Sequence, residues 1–300
     1  MIEFRPITLA DKSWIDPIVL TDGGRSADYN FGNLYLWNRL YRQLICRVGD
    51  RLLVKQRHNG IRSFYFPIGT GDFRQPIEAL REFTDARGYP LLIRGVEEHN
   101  RELLESAYPH CFSWSEDIDN ADYIHLAERL STYAGKALHG KKNHCNRFEA
   151  EHNWEFRPLT RDLIPLCMDM MSSWIEENSE RLAEGISYEY EAISRAFAAY
   201  EDLGLEGGVL FADGRVAGFS VGELCARDCF DVHFEKADTS LNGAYSMVCR
   251  EMARLAMASH PELVYINREE DMGLEGLRRS KLSYKPEYLL TKYIARWNYD

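Results

Sequence analysis

The chain has 300 residues, 45% apolar and 28% charged, with a formal net charge of −11 at pH 7. That length holds one large or two medium domains with a sizeable core. The acidic balance argues against broad nonspecific nucleic-acid binding, and no DNA partner is expected.

Alternation over residues 2–8 predicts a first strand, followed by a helix near 10–19. The aromatic segment DYNFGNLYLWNRLY, residues 28–41, predicts a buried helix with Phe31, Leu34, Tyr35, Trp37 and Leu40 on its inner side. Residues 42–48, 52–57 and 63–68 read as strands, the first two joined at Gly49-Asp50. The turn Pro67-Ile-Gly-Thr-Gly71, able to cradle a phosphate, precedes a helix over 75–87 with Ile77, Leu80, Phe83 and Thr84 on one face. A strand at 91–94, a helix at 98–107 and a strand at 123–126 complete the first half.

The second half opens with a strand at 154–158. A helix at 161–177 follows, burying Leu163, Leu166, Cys167, Met170 and Trp174, and then a helix at 188–203. GGVLFADGRVAGFSVGEL holds two strands joined at Asp213-Gly214, the strongest short-range hairpin signal. CFDVHFEKA, residues 229–237, is a third strand. The chain then turns into a helix with Tyr245, Val248, Cys249, Met252, Leu255 and Ala256 on one face and Arg250, Glu251 and Arg254 on the other. A strand at 263–267, a helix at 274–281 and a strand pair within 287–297 end the chain.

Both halves run strand, helix, helix, three strands, turn, helix, strand, helix, strand, so the chain reads as a tandem duplication. The expected divisions are 1–130, a basic linker helix at 131–150, and 151–300. Three antiparallel strands, a glycine turn, a helix and another strand are similar to the working half of the GNAT acyltransferase fold. The expected class is therefore α/β (α+β): two tandem GNAT-like domains, each a mixed, mostly antiparallel sheet flanked by helices. Trp37 and Trp174 are expected to be buried.

The linker STYAGKALHGKKNHCNRF has no acidic residue but carries Lys136, Lys141, Lys142 and Arg147. Leu138, Cys145 and Phe148 recur at helical spacing, so one side can dock while the cations face a phosphate-rich ligand. The same cations can equally pair with Glu149, Glu151 and neighbouring carboxylates. On the strand at 229–237, alternation puts Asp231, His233 and Glu235 on one face, where Glu223 of the preceding strand can join them. Three ionisable groups on one face belong beside solvent or a polar cleft, so an exposed sheet edge and a reactive cleft both fit. Arg268 follows a strand end and can hold a carboxylate or phosphate with two N–H groups; the run to Asp271 can also cap the next helix. No Walker loop, G-x-S-x-G, H-E-x-x-H or paired-cysteine zinc pattern occurs, and His139 and His144, five apart, make a poor pair. No metal is expected.

No apolar run approaches the roughly 20 residues that span a bilayer, and the first residues lack a signal-peptide pattern. The seven cysteines include no C-x-x-C spacing and read as reduced thiols in a cytoplasmic protein. Oligomeric state is not legible.

The linker GKALHGKKNHCNRFEAEHNWEF, the ending YINREEDMGLEGLRRSKLSYKP and DYNFGNLYLW together resemble the family built on the C-terminal domain of phosphatidylglycerol lysyltransferase. The resemblance covers essentially the whole chain. It implies tandem GNAT-like halves related to Fem-type aminoacyl transferases, joined by a basic helix carrying Lys136, Lys141, Lys142 and Arg147. It also implies an activated donor, aminoacyl-tRNA or acyl-coenzyme A, and transfer to an amine or hydroxyl acceptor. GNAT enzymes hold pyrophosphate on the turn after the third strand and the following helix N-terminus, which here means Asn242, Gly243, Ala244 and Tyr245. This chain lacks the Q/R-x-x-G-x-G/A signature there and keeps only Asn242-Gly243-Ala244. Tyr284 lies after the last helix, where such enzymes often place a tyrosine general acid. Acyl transfer needs a base for the acceptor, a polarised carbonyl and a proton for the leaving group. Glu235, His233 and Glu223 are the candidate bases and Tyr284 the candidate acid. Two alternatives stay open: a plain N-acetyltransferase using acetyl-coenzyme A, and a non-catalytic ligand-binding module on the same fold.

Overall fold

The computed structural model describes residues 2–178 and 186–299. In chain order the elements are β1 (Arg5–Pro6), α1 (Lys12–Asp22), α2 (Phe31–Leu36), α3 (Asn38–Tyr41), β2 (Leu44–Val48), β3 (Arg51–His58), β4 (Ile61–Tyr65), β5 (Ile68–Gly69), α4 (Arg74–Asp85), β6 (Leu92–Val96), α5 (Glu98–Ala107) and β7 (Phe112–Glu116). There follow β8 (Asp122–Leu126), α6 (Ala127–Thr132), α7 (His139–Glu151), β9 (Trp154–Pro158), α8 (Ile164–Asn178), α9 (Ile186–Ala198), β10 (Glu206–Ala212), β11 (Arg215–Ala226) and β12 (Cys229–Ala237). The chain ends with α10 (Ala244–Ser259), β13 (Tyr265–Asn267), α11 (Glu275–Ser283), β14 (Tyr288–Leu290) and β15 (Tyr293–Trp297).

These elements form two compact units, one of Met1–Asp122, Glu269–Glu275 and Leu289–Asp300, the other of Tyr123–Arg268 and Gly276–Tyr288. Each has a mixed sheet flanked by helices, as expected for tandem GNAT-like domains. The first sheet runs β1-β2-β3-β4-β6-β15-β7, with β5 beside β3; the second, read from its other end, runs β9-β10-β11-β12-β13-β8-β14. Four antiparallel strands lead in both cases to one parallel pair, β4 with β6 and β12 with β13. The repeated order holds, but the inserted strands are exchanged. β15, from the end of the chain, enters the first sheet, and β8, from the first half, enters the second. The compact units are therefore not the contiguous stretches 1–130 and 151–300. The segment 131–150 joins the second unit, where Leu138, Cys145 and Phe148 share a core with Met247, Val248 and Met252 of α10.

In the first unit Ile77, Leu80, Phe83 and Thr84 of α4 are buried as its spacing predicts. Asn59 and Gly60 turn β3 into β4 with φ of 48° and 81°. The aromatic helix breaks at Trp37, whose φ of −89° and ψ of 7° end α2, and this tryptophan is only half-buried. The turn at 67–71 is already occupied. Gly69 donates its N–H to Asp22, and the Arg51 guanidinium donates to the carbonyls of Pro67 and Gly71. The N–H of Gly69 is thus committed to a carboxylate of the protein itself.

In the second unit Asp213 and Gly214, at φ of 52° and 80°, form the expected tight hairpin between β10 and β11. Two expected faces are corrected. Helix α8 buries Cys167 and Met171, with Leu163 just before it, and leaves Leu166 exposed and Trp174 half-buried, because its inner stripe runs at four-residue steps. Helix α10 buries Arg250 and Glu251, because α7 covers the side expected to face water. There Arg250 pairs with Glu149 of α7 and with Glu251, which also pairs with Arg254.

Candidate active site at the splayed end of a parallel strand pair

Strands β12 and β13 pair only over residues 229–231 and 265–267. Beyond that, β12 continues to Ala237 while the chain leaves β13 at Arg268, so the two diverge. The Arg268 guanidinium reaches back across the divergence and donates from Nη2 to Oε1 of Glu235, at 2.6 Å. One side chain of each strand thus meets where the backbones part.

Glu235 points there because β12 is bulged. Val221 pairs with Phe234 and Gly222 with Val232, which leaves His233 as the extra residue. Before the bulge Phe230 and Val232 join the core under α10; after it Ala237 does. The parity of the strand changes at His233, and Glu235 shares the face of Ala237. The expectation of one face carrying Asp231, His233 and Glu235 is therefore corrected. His233, Asp231 and Glu223 lie on the opposite face. There Nε2 of His233 stands 3.1 Å from Glu223 and Nδ1 stands 3.3 Å from Asp231, with the His233 and Asp231 side chains fully buried. Both ring nitrogens can donate only when the imidazole carries two protons.

On the Glu235 face, Tyr284 lies 4% exposed with its ring packed against two cations: the Arg268 guanidinium at 4.2 Å and the Lys141 ammonium at 3.7 Å from the centroid. Burial drives the Tyr284 phenol well above its ordinary range, so it keeps its proton. Burial also raises the Glu235 carboxyl, against the pull of Arg268, Lys281 and Lys141. Burial, helped by Arg268, lowers the Lys141 ammonium. Sequence reasoning did not single out the surrounding shell. Tyr133 donates its hydroxyl to the Ser246 carbonyl at 2.9 Å, its ring centroid 6.2 Å from that of Tyr284. Burial pushes the Cys249 thiol to about 12, so it remains neutral. Lys281 donates to the Arg268 carbonyl. Lys281 lies three residues before Tyr284, a helical spacing that marks it in the sequence.

The basic linker divides. Lys136 and Lys142 are exposed, Arg147 is committed to Glu151 at 2.7 Å, and Lys141 turns inward to Tyr284. The turn expected to hold pyrophosphate is covered. A Cβ on Gly243 would lie 3.0 Å from the His144 carbonyl carbon of α7 and closer still to its oxygen, and 3.3 Å from Cβ of Phe148. Asn242 meets the His144 ring, Oδ1 to Nδ1 at 3.1 Å. Ala244 is buried, and Tyr245 is half-buried with its phenol pushed up to about 12 by burial. Gly243, with φ of 96°, is needed here for the close approach of α7.

None of the seven cysteines is joined to another, and among the described residues no helix is long and apolar enough to cross a membrane.

A conserved protein of unknown function from Bacteroides thetaiotaomicron has a crystal structure similar to this chain. It is 37% identical with a TM-score of 0.94, covering 99% of this chain and 100% of that one. The structure of L-PGS from Bacillus licheniformis is similar in fold, with a TM-score of 0.68 at 14% identity, covering 99% of this chain and 94% of that one. An uncharacterised protein of Mycoplasmoides gallisepticum is 23% identical over 183 residues, and the match spans 59% of this chain and only 56% of that relative. Residues 23–296 match the family described as phosphatidylglycerol lysyltransferase, C-terminal, and the chain belongs to that family.

Proposed function

We propose that the second unit transfers an aminoacyl group from an ester donor to an amine or hydroxyl acceptor at the splayed end of β12. The observation that carries this is the meeting of Glu235, Arg268, Tyr284 and Lys141 where β12 and β13 part. Glu235, a carboxylate with raised basicity, takes the proton of the acceptor as its nitrogen or oxygen bonds to the donor carbonyl. Arg268 and Lys141 offset the charge that develops on the carbonyl oxygen. As the bond to the leaving oxygen breaks, Tyr284 supplies that oxygen with a proton. His233 and Glu223, on the other face of β12, stand in reserve as a base for an acceptor arriving from that side.

Two features support aminoacyl-tRNA over acyl-coenzyme A as the donor. The exposed Lys136 and Lys142 offer point charges to a long polyanion. The α10 turn, with Asn242, Gly243, Ala244 and Tyr245, is covered by α7 and offers a pyrophosphate little room. The test compares binding of unfractionated tRNA and coenzyme A, then follows turnover with the donor that binds. Glu235→Gln and Tyr284→Phe should each lower turnover roughly a hundredfold or more with little change in donor affinity. Donor binding without turnover in the unmodified protein would leave a binding module as the function, and unchanged turnover in both variants would overturn the roles given to Glu235 and Tyr284. Binding of coenzyme A alone would favour the plain N-acetyltransferase.

A further inference from the structure

Many surface cations of this acidic chain stand beside a carboxylate, as Arg47 does with Asp50, Arg81 with Glu78 and Arg101 with Glu98. One cluster in the first unit does not. On the face of β3 and β4 that packs against α4, Lys55 pairs across the strands with Phe64, and Arg57 with Arg62. The last pair sets like charges directly opposite each other, which is unfavourable unless an anion lies between them. The Lys55 ammonium stands 5.2 Å from the ring centroid of Phe83, in the last turn of α4, and 5.9 Å from that of Phe4. Arg87, just past the helix, lies over the same Phe83 ring at 3.7 Å, and Arg62 lies over Tyr89 at 5.1 Å. Arg57, Arg62 and Arg87 are exposed and Lys55 is half-buried, yet among the described residues none of the four forms an ion pair. Burial, helped by Arg87 and Arg62, lowers the Lys55 ammonium. A lysine in such surroundings gives up its proton more readily than a solvated one, and its amine becomes a nucleophile. The arginines beside it have N–H groups to spare for a phosphate.

We propose that Lys55 is a site of acyl modification, with a small acyl phosphate as the reagent and Arg62 and Arg87 as the groups that dock its phosphate. Lys55 first loses its ammonium proton to water. The amine nitrogen then bonds to the acyl carbon as the bond from that carbon to the phosphate oxygen breaks, and the surplus proton on nitrogen leaves with the phosphate. The product is a neutral amide, which removes one charge from the crowded cluster. The step uses residues of the first unit alone and draws on none of the transfer chemistry given to Glu235 and Tyr284.

The test treats the full chain with acetyl phosphate at fixed ionic strength and follows each lysine by mass spectrometry, with the exposed Lys136 and Lys142 as references. Acetic anhydride, which carries no phosphate, is the second reagent. Lys55 should react with acetyl phosphate at least about tenfold faster than Lys142, and the preference should shrink with acetic anhydride. Inorganic phosphate should protect Lys55 from acetyl phosphate saturably and spare Lys142 no reaction. Replacing both arginines, Arg62→Gln with Arg87→Gln, should remove most of the preference and the protection. Both are exposed, so an unchanged urea midpoint is expected; if the double variant fails to fold, protection by phosphate in the unmodified protein still decides. Reaction of Lys55 no faster than Lys142 overturns the site. A preference equal for both reagents and indifferent to inorganic phosphate overturns it as well, because the arginines would then dock nothing. Since no readout is turnover of the transferase, this site and the one on β12 stand or fall separately.

Discussion

Gly243→Ala separates two explanations for the glycine at the start of α10. If Gly243 exists to let α7 approach, a methyl group there must push His144 and Phe148 outward. The backbone adds to the cost, since φ of 96° is poorly tolerated by any residue with a Cβ. The left-handed conformation costs about 1–2 kcal/mol and overpacking about 1–3 kcal/mol, so roughly 2–5 kcal/mol should be lost from the docking of α7. Hydrogen exchange read by mass spectrometry over residues 139–151 measures that loss directly, as faster exchange of the α7 amides. Gly140→Ala is the control. A Cβ there meets nothing within 4 Å, and an alanine inside a helix should add about 0.5–1 kcal/mol. If Gly243→Ala leaves α7 protection within about 0.5 kcal/mol of the unmodified protein while weakening coenzyme A binding, the glycine serves a pyrophosphate rather than the approach of α7.

Other perturbations follow from the same geometry. Glu97 is raised to about 7 by burial, so between its unfolded value of about 4.3 and that point the native state binds the extra proton and stability falls as pH rises. Glu97→Gln should therefore gain roughly 1–3 kcal/mol over the unmodified chain at pH 8 and nothing at pH 4, checked by urea unfolding at both pH values. Phe148→Ala, at a fully buried position between α7 and α10, should cost about 3–5 kcal/mol, and a loss below about 1 kcal/mol would contradict the packing. Reversing Lys136 and Lys142 to glutamate should weaken donor binding and flatten its salt dependence by roughly 0.7 for each phosphate no longer neutralised, with turnover at saturation nearly unchanged.

Much of the fold was legible because its signals are local. Asp213-Gly214 sits between two alternating runs, and α10 carries a continuous apolar stripe, so both emerge from residue spacing alone. Strand β7 was not legible, since FSWSE lies at a sheet edge with only Phe112 buried. The exchange of β8 and β15 is invisible for a different reason. Pairing partners far apart in sequence leave no periodic mark. The bulge at His233 was missed although it has a signal. CFDVHFEKA alternates from Phe230 to Glu235 and loses the pattern only at Lys236 and Ala237, and Gly222 in the partner strand is a glycine where a Cβ would press into the Asp231 carbonyl. A lone glycine inside a strand is a mark of a bulge or a close backbone approach, and here it is both.

That bulge and the linker helix account for how the site residues were regrouped. A regular β12 would carry Glu235 to the side of Asp231, placing three carboxylates, with Glu223, around one imidazole and none beside Arg268. The extra residue sends one carboxylate to each task. Leu138, just before α7, and Lys141, Cys145 and Phe148 within it fall at steps of three, four and three, so Lys141 belongs to the inward stripe rather than to the run of cations in which it is written. A lysine on such a stripe must bring its ammonium to a partner or to water. Lys141 brings it to the ring of Tyr284, and so α7 presents charge in two directions, outward through Lys142 and inward through Lys141. The proposed donor contact and the charge set against the proposed reacting groups therefore fall on adjacent residues, whose effects single substitutions can separate.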